Sequence, residues 1–518
     1  MQVIKALSVL VLLVVFSAGE LQAQIAIANK GTKNATLMYK GAPMLKVGPL
    51  PEVAVFAVEW GSEYLNVEEW LDWMEQYGMG YARVYPENSW YPWVPVDADR
   101  RLFPFEVVRW QDNHPVVDLT KSNPRYWENF ARVVQECADR DIVLHIQLYQ
   151  RVFFQGAEES ARWHTNYYYQ DNNVNNFAIP DRKPKKGRNK GYRLWPAMAN
   201  EPVWRDLHKQ WVEHVLDAVG DNGNCMIDLQ NEAAYRNDMT PEWIEYTLDI
   251  IEDWEQRTGN DILVGMDYDH FYKSKDPGLE NALSNPRLEL IMCEGSEGHV
   301  IPELVAGSRK PISEELAIKY RKLYKKPVVS ANSPCYWPNE QTIKGWNPVT
   351  GPEEGYDPTI SIPAVRQYQW ASMLLKVQGA GVYAKSYPLD FSELKLRTYA
   401  QESRLLIDFF GSLKDYVALE ISPDVVAESP VRYAHVLSAE NEAVVYLHAD
   451  GFKKTVTAGQ VLRLQKLKMT DGSVEILLCH PATGVWQREN VPIQNGNVTI
   501  NLPEFYEDLA LHILSLDE

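Results

Sequence analysis

A (β/α)8 barrel followed by a small C-terminal β-sandwich is the fold this sequence predicts, and three observations predict it. Between residue 36 and about residue 412, short β-branched runs alternate with segments of helical periodicity, and the strand-like runs number eight. Alternation of that kind implies parallel strands joined by crossover helices, and eight such units close into a barrel. After Asp415 the pattern changes to closely spaced strands punctuated by Gly, Asn, Asp and Pro, as in an antiparallel sandwich. Finally, 518 residues exceed the ~100–200 usual for one domain, so a large and a small domain are expected to share the chain.

The elements follow in order. Residues 1–23 place Lys5 ahead of the apolar run ALSVLVLLVVFSA and end on the small Ala23, the layout of a cleavable signal peptide, so the mature chain is expected to be secreted or periplasmic. The barrel is expected over 24–415 and the sandwich over 416–518. Strand one is expected at MLKVGPLPEVAVFAVEW (44–60). The helical pattern EEWLDWMEQYG (68–78) precedes strand two, YARVYPE, and RYWENFARVVQECADRD (125–141) precedes strand three, IVLHIQLY. VWRDLHKQWVEHVLDAVG (203–220) leads to strand four, MIDLQNE, and PEWIEYTLDIIEDWEQRTG (241–259) to strand five, ILVGMDYDHFY. LELIMCEG (288–295), the helical EELAIKYRKLY (314–324), KPVVSAN (326–332) and GAGVYAKSYPLD (379–390) complete the series. The sandwich strands are VRYAHVLSA, EAVVYLHA, VEILLCHP, VTINLP and LALHILSL.

Composition narrows the function. The formal net charge is -19, and losing residues 1–23 removes Lys5 and Glu20 together and leaves it unchanged; such a surface does not suit nucleic acid. After the leader no run approaches the ~18–20 apolar residues of a membrane helix, so no membrane partner is expected. Five widely spaced cysteines, Cys137, Cys225, Cys293, Cys335 and Cys479, form neither a disulfide framework nor a metal-ligand pattern. One segment runs against the acidic composition: DRKPKKGRNKGYR (181–193).

In barrels of this class the working residues sit at the C-terminal ends of the strands. There the sequence offers Trp60 (strand one), Arg83 and Glu87 (two), Gln147 and Tyr149 (three), Asn231 and Glu232 (four), Asp267 and His270 (five), Glu294 (six), Asn332 and Trp337 (seven) and Tyr387 (eight). Amides and carboxylates hydrogen-bond hydroxyls, and flat aromatic faces cover ring C–H groups, so the set suits a sugar. No Gly-rich strand-to-helix loop suggests a phosphate site. The alternative for Asn231 and Glu232 is that they begin the next helix, where a carboxylate favours the N-terminal dipole.

The strand-four Asn-Glu of DLQNEAAY resembles the hallmark of the clan of (β/α)8 retaining glycoside hydrolases that includes the cellulases. Within it, YKGAPMLKVG, KPVVSANSPCYW and ILLCHPATGVWQ with VTINLPEFYEDLALHIL are similar to apiosidase-like hydrolases, whose barrel is followed by a small β-sandwich. The resemblance implies that Glu232 is the general acid/base, that Asn231 holds the sugar 2-hydroxyl, and that no cofactor or metal is needed. It also implies a nucleophilic Glu at the end of strand seven, where this chain reads Ser330-Ala331-Asn332-Ser333-Pro334. Glycoside hydrolysis ordinarily needs two carboxyl groups, ~5–5.5 Å apart for retention or ~6.5–9.5 Å for inversion. Glu294 is the expected second carboxylate, with Arg83, Trp60, Glu87, Asp267, His270, Asn332, Trp337 and Tyr387 lining the cleft. A carbohydrate-binding pseudoenzyme that keeps the cleft and lacks a nucleophile is the competing class. The expected ligand is a plant or algal poly- or oligosaccharide, and the basic 181–193 segment, on the active-site face after strand three, suits an anionic one.

Overall fold

The computed structural model describes residues 25–50, 54–62, 66–86, 101–111, 114–150, 166–177, 194–231, 240–268, 277–293, 314–330, 346–347, 351–352, 361–383, 394–448 and 455–516. The eight expected barrel strands are present: β1 (Val47–Leu50), β2 (Tyr81–Val84), β3 (Val143–Gln147), β4 (Cys225–Asp228), β5 (Leu263–Tyr268), β6 (Leu290–Cys293), β7 (Val328–Ser330) and β8 (Ala380–Tyr383). Strands β2 to β7 pair in parallel in sequence order, β7 pairs with Val377–Gln378, and β8 pairs with β1. The eighth strand changes partner at Gly379. Its φ is +70°, and a Cβ there would stand 2.7 Å from the Tyr81 ring, so only glycine makes the offset without strain. Between β1 and β2 the backbones come so close that a Cβ on Gly48 would lie 2.0 Å from the Tyr81 carbonyl oxygen.

Helices flank the strands: α1 (Val67–Gln76), α2 (Pro124–Asp139), α3 (Pro202–Val219), α4 (Pro241–Thr258), α5 (Pro277–Ser284), α6 (Glu314–Tyr324), α7 (Ser361–Leu374) and α8 (Leu394–Gly411). Their starts are written locally. Asn123 and Thr240 accept hydrogen bonds from the N–H groups of Arg125 and Trp243, and proline follows each cap at the first helical position, where its missing N–H costs nothing. Outward-facing strand residues such as Ala82, Val84, Leu144, Ile146 and Ile227 pack with the apolar faces of α1–α4 in one core.

Alternate strand residues face inward. Tyr81, Val143, Met226, Leu263, Leu290, Met292 and Val329 fill the lower interior together with Ile25, Leu37, Tyr39 and Met44. The last four belong to an N-terminal segment, with strands Ile25–Ala28 and Thr36–Tyr39 paired antiparallel, that plugs the barrel floor. Gln378 fastens it: Oε1 accepts from Leu37 N at 2.6 Å, and Nε2 donates to the carbonyls of Leu37 at 2.9 Å and Met44 at 3.2 Å.

Two expectations need correction. Strand one does not run to residue 60; it ends at Leu50, and Ala54–Ala57 is helical. An unanticipated antiparallel hairpin, Phe105–Gln111 with His114–Ser122, stands between β2 and α2. Its register shifts at Phe105/Glu106 and Val107/Arg109 break the period-two pattern by which a strand is recognised.

Among the described residues the C-terminal part is an antiparallel sheet of nine strands, in the order Glu420–Ile421, Tyr433–Ser438, Glu442–His448, Asp508–Ser515, Gly472–His480, Val485–Gln494, Asn497–Asn501, Val461–Leu464, Val426–Glu428, beside a short two-stranded ribbon of Thr455–Val456 with Phe505–Tyr506. The sheet curls so that Val436 and Val445, near one end of this order, share a core with Leu462 and Leu464, near the other. Its opposite face, through Leu437, Val444, Tyr446, Cys479 and Ala510, packs on Trp370, Phe409 and Phe410 of α7 and α8.

Candidate active site

The upper interior of the barrel is polar. By strand parity, Arg83 on β2, His145 and Gln147 on β3, Asp228 on β4 and Asp267 on β5 follow the apolar residues of the floor, and each is at most 1% exposed. Buried polar groups hold their place by hydrogen bonds. Asp228 Oδ2 accepts from Gln147 Nε2 at 2.6 Å and faces His145 Nε2 at 3.1 Å; Oδ1 accepts from the N–H groups of Asp267 at 2.9 Å and Gln230 at 3.3 Å. His145 Nδ1 lies 2.7 Å from the Tyr81 hydroxyl. Burial pushes the His145 pKa down against the raising effect of Asp228, with Arg83 adding to the downward shift.

Asn231 stands one step above this layer. Its N–H donates to Tyr149 O at 3.0 Å, its Nδ2 to Gln150 Oε1 at 2.6 Å, and its Oδ1 accepts from Arg83 Nη1 at 3.4 Å. The Arg83 guanidinium lies over the Tyr85 ring at 5.3 Å, a cation–π contact in a desolvated setting. The outer helices stiffen the end of β3: Trp211 Nε1 donates to Leu148 O at 3.1 Å, and the Tyr149 hydroxyl meets His208 Nδ1 at 2.7 Å. His208 also meets Thr247 Oγ1 at 2.8 Å, and burial pushes its pKa down to about 3, so this brace is neutral at ordinary pH.

Arg83, Asn231 and Asp267 therefore share the upper end of the barrel. Trp60 is elsewhere. Its half-buried ring carries the Arg132 guanidinium of α2 at 4.4 Å, so that face of the indole is engaged by the helix layer, and the Trp60 backbone N–H donates to Asn129 Oδ1 at 3.2 Å. The neighbouring Glu59 pairs with Arg125. Glu232, Glu294, Glu87, His270, Asn332, Trp337, Tyr387 and the 181–193 segment lie outside the described residues. Met292, two residues before Glu294, lines the interior with Leu290. Sequence reasoning passed over Tyr81, His145, Gln150 and Asp228; the available signal was period-two spacing of polar residues inside apolar strands, Tyr81 with Arg83 and His145 with Gln147. Among the described residues no cluster of three or more His, Cys, Asp or Glu is arranged to hold a metal.

A family model described as "Domain of unknown function (DUF6298)" matches residues 108–276, from the hairpin through β5. No curated protein matches the chain. Among solved structures, one titled "Glycoside hydrolase" has a TM-score of 0.60 at 12% identity, covering 96% of this chain and 98% of that one. A glycoside hydrolase family 5 structure from Bacteroides vulgatus ATCC 8482 has a TM-score of 0.58 at 11% identity, covering 96% of this chain and 94% of that one. At these identities the likeness is one of architecture, and it extends over most of the chain: the protein is a (β/α)8 barrel with a C-terminal antiparallel β-sheet domain, an architecture it shares with these glycoside hydrolase structures.

Proposed function

We propose that the chain is an exported glycoside hydrolase acting on plant or algal polysaccharide fragments, with Glu232 as general acid. One observation carries this reading: Asn231, the residue before Glu232, is buried at the C-terminal end of β4 and held by Arg83 on β2 and Gln150 beyond β3. A helix-capping role for the dipeptide would not call for that cross-strand anchoring. Protonation of a leaving glycosidic oxygen needs a carboxyl whose pKa is raised, which burial beside aromatic residues would supply. Glu294 is the proposed second carboxylate, the residue that follows β6, whose Leu290 and Met292 face inward. Export rests on the composition of residues 1–23, the apiosidase-like kinship on the quoted segments, and an anionic substrate on the basic 181–193 segment. The absence of a carboxylate from Ser330 to Asn339 favours the second reading, a carbohydrate-binding pseudoenzyme.

A panel of xylan, glucomannan, arabinogalactan, polygalacturonate and carrageenan separates the two. Release of reducing ends by the parent and its loss in Glu232→Gln supports the hydrolase; binding without release supports the pseudoenzyme.

A further inference from the structure

Beneath Asn231 a continuous hydrogen-bonded chain crosses the barrel interior: Asp228 to His145, His145 to the Tyr81 hydroxyl, and that hydroxyl to the Ser330 carbonyl oxygen at 2.9 Å. It joins β4, β3, β2 and β7, and Tyr81, His145 and Asp228 are fully buried. The protons in it can be assigned. Asp228 meets two backbone N–H donors and the Gln147 amide, so it acts as acceptor throughout and His145 must present Nε2–H to it. His145 Nδ1 is then bare and accepts from the Tyr81 hydroxyl, whose single proton is shared with the Ser330 carbonyl oxygen in a bifurcated hydrogen bond.

We propose that Asp228 is a positioning residue for the Asn231–Glu232 pair, and that it fixes the tautomer of His145 in doing so. The proposal rests on the reading of Glu232 as the acid. Asp228 Oδ1 grips the N–H of Gln230, the residue before Asn231, and with the same oxygen the N–H of Asp267 on β5. The end of β4 cannot slide against β3 or β5 without leaving buried groups unpaired. Through His145 and Tyr81 the same carboxylate is tied to the last described residue of β7. One buried group thus holds in register the strand ends that would carry the acid and face it across the cleft.

The test is Asp228→Asn in the full mature chain, with Tyr81→Phe beside it. An asparagine keeps the shape, and its carbonyl oxygen still accepts from Gln230 and Asp267, but it presents N–H where Oδ2 accepted. The chain can relax by turning the Gln147 amide, moving the His145 proton to Nδ1 and redirecting the Tyr81 hydroxyl to Ser330. Nitrogen-15 spectra of histidine-labelled protein should therefore show His145 exchange Nε2–H for Nδ1–H in Asp228→Asn and keep Nε2–H in Tyr81→Phe. Both variants should lose turnover of whichever panel polysaccharide the parent cleaves, by roughly 10–100-fold in kcat with KM within about threefold, since small misplacements at a catalytic centre cost rate. An unchanged tautomer in Asp228→Asn, or kcat at the parental level in either variant, overturns the proposal and leaves the hydrolase reading standing. A parent that cleaves nothing in the panel removes the hydrolase reading first and the positioning role with it, so the two failures are told apart by the parent alone. If Asp228→Asn does not fold, kcat of Tyr81→Phe decides.

Discussion

At the scale of single residues, the site is defined by who anchors whom. Asn231 gives its N–H and Nδ2 to the chain following β3 and receives Arg83 at Oδ1, so both ends of its side-chain amide are oriented before any ligand arrives. Such preorganisation removes part of the ordering cost of binding. If Glu232 is the acid, Glu232→Gln keeps shape and binding but cannot give up a proton, and turnover should fall ~10²–10⁴-fold. Dinitrophenyl glycosides, whose leaving group needs no proton, should recover part of that loss. Equal loss on both substrate types, measured as kcat, counts against the acid role.

At the scale of elements, capping and loop chemistry decide what the barrel presents. Thr240 closes the start of α4, the helix that follows the segment carrying Glu232, through Oγ1 to Trp243 N at 3.2 Å. Thr240→Ala should cost about 1 kcal/mol of barrel stability, read as a lower urea midpoint with an unchanged slope. The basic segment 181–193 makes a separate prediction. Lys185, Lys186 and Arg188 changed together to Ser should raise KM for polygalacturonate at low salt and leave KM for xylan unchanged. The difference should shrink as ionic strength passes 0.1 M, where screening acts over ~10 Å; an unchanged KM at low salt would make the segment a solvated loop.

At the scale of the molecule, the C-terminal sheet is bound to the barrel through a buried charge cluster. Arg366 of α7 meets Glu402 of α8 at 2.6 Å and, from the sheet, Glu507 and Asp508 at 2.8 Å each; the Tyr446 hydroxyl also donates to Asp508 at 2.8 Å. Three carboxylates against one guanidinium leave excess negative charge in a desolvated interface. Burial first, then Asp508 and Glu507, push Glu402 up to about 7, against Arg366. A carboxyl whose folded pKa is raised binds its proton more tightly folded than unfolded, so stability falls as pH rises from about 4.5 through 7 and levels off above. At ~1.4 kcal/mol per pKa unit the swing is on the order of 3 kcal/mol. Glu402→Gln should flatten melting temperature against pH across that window, and a parental slope in the variant would place the proton elsewhere.

How much of this was written in the sequence divides along the range of the interactions. Local information determined the helices: apolar residues at helical spacing, a capping Asn or Thr, and a proline one step inside gave α2 and α4 within a residue or two. It also determined the order of strands and the position of Asn231 and Arg83 at strand ends, because alternation and strand parity are properties of adjacent residues. The hairpin at 105–122 escaped because bulges erase the alternation. The partners of buried polar residues escaped for a different reason. His145 meets Asp228 83 residues away, and Tyr81 meets Ser330 249 residues away; in isolation each polar residue looks like a defect in an apolar strand. Likewise, the folding of nine strands into one curled sheet, and its docking on α7 and α8 through Arg366, depend on which surfaces closure brings together. Those contacts exist only once the barrel has closed, so tertiary structure alone decided which buried donors found their acceptors.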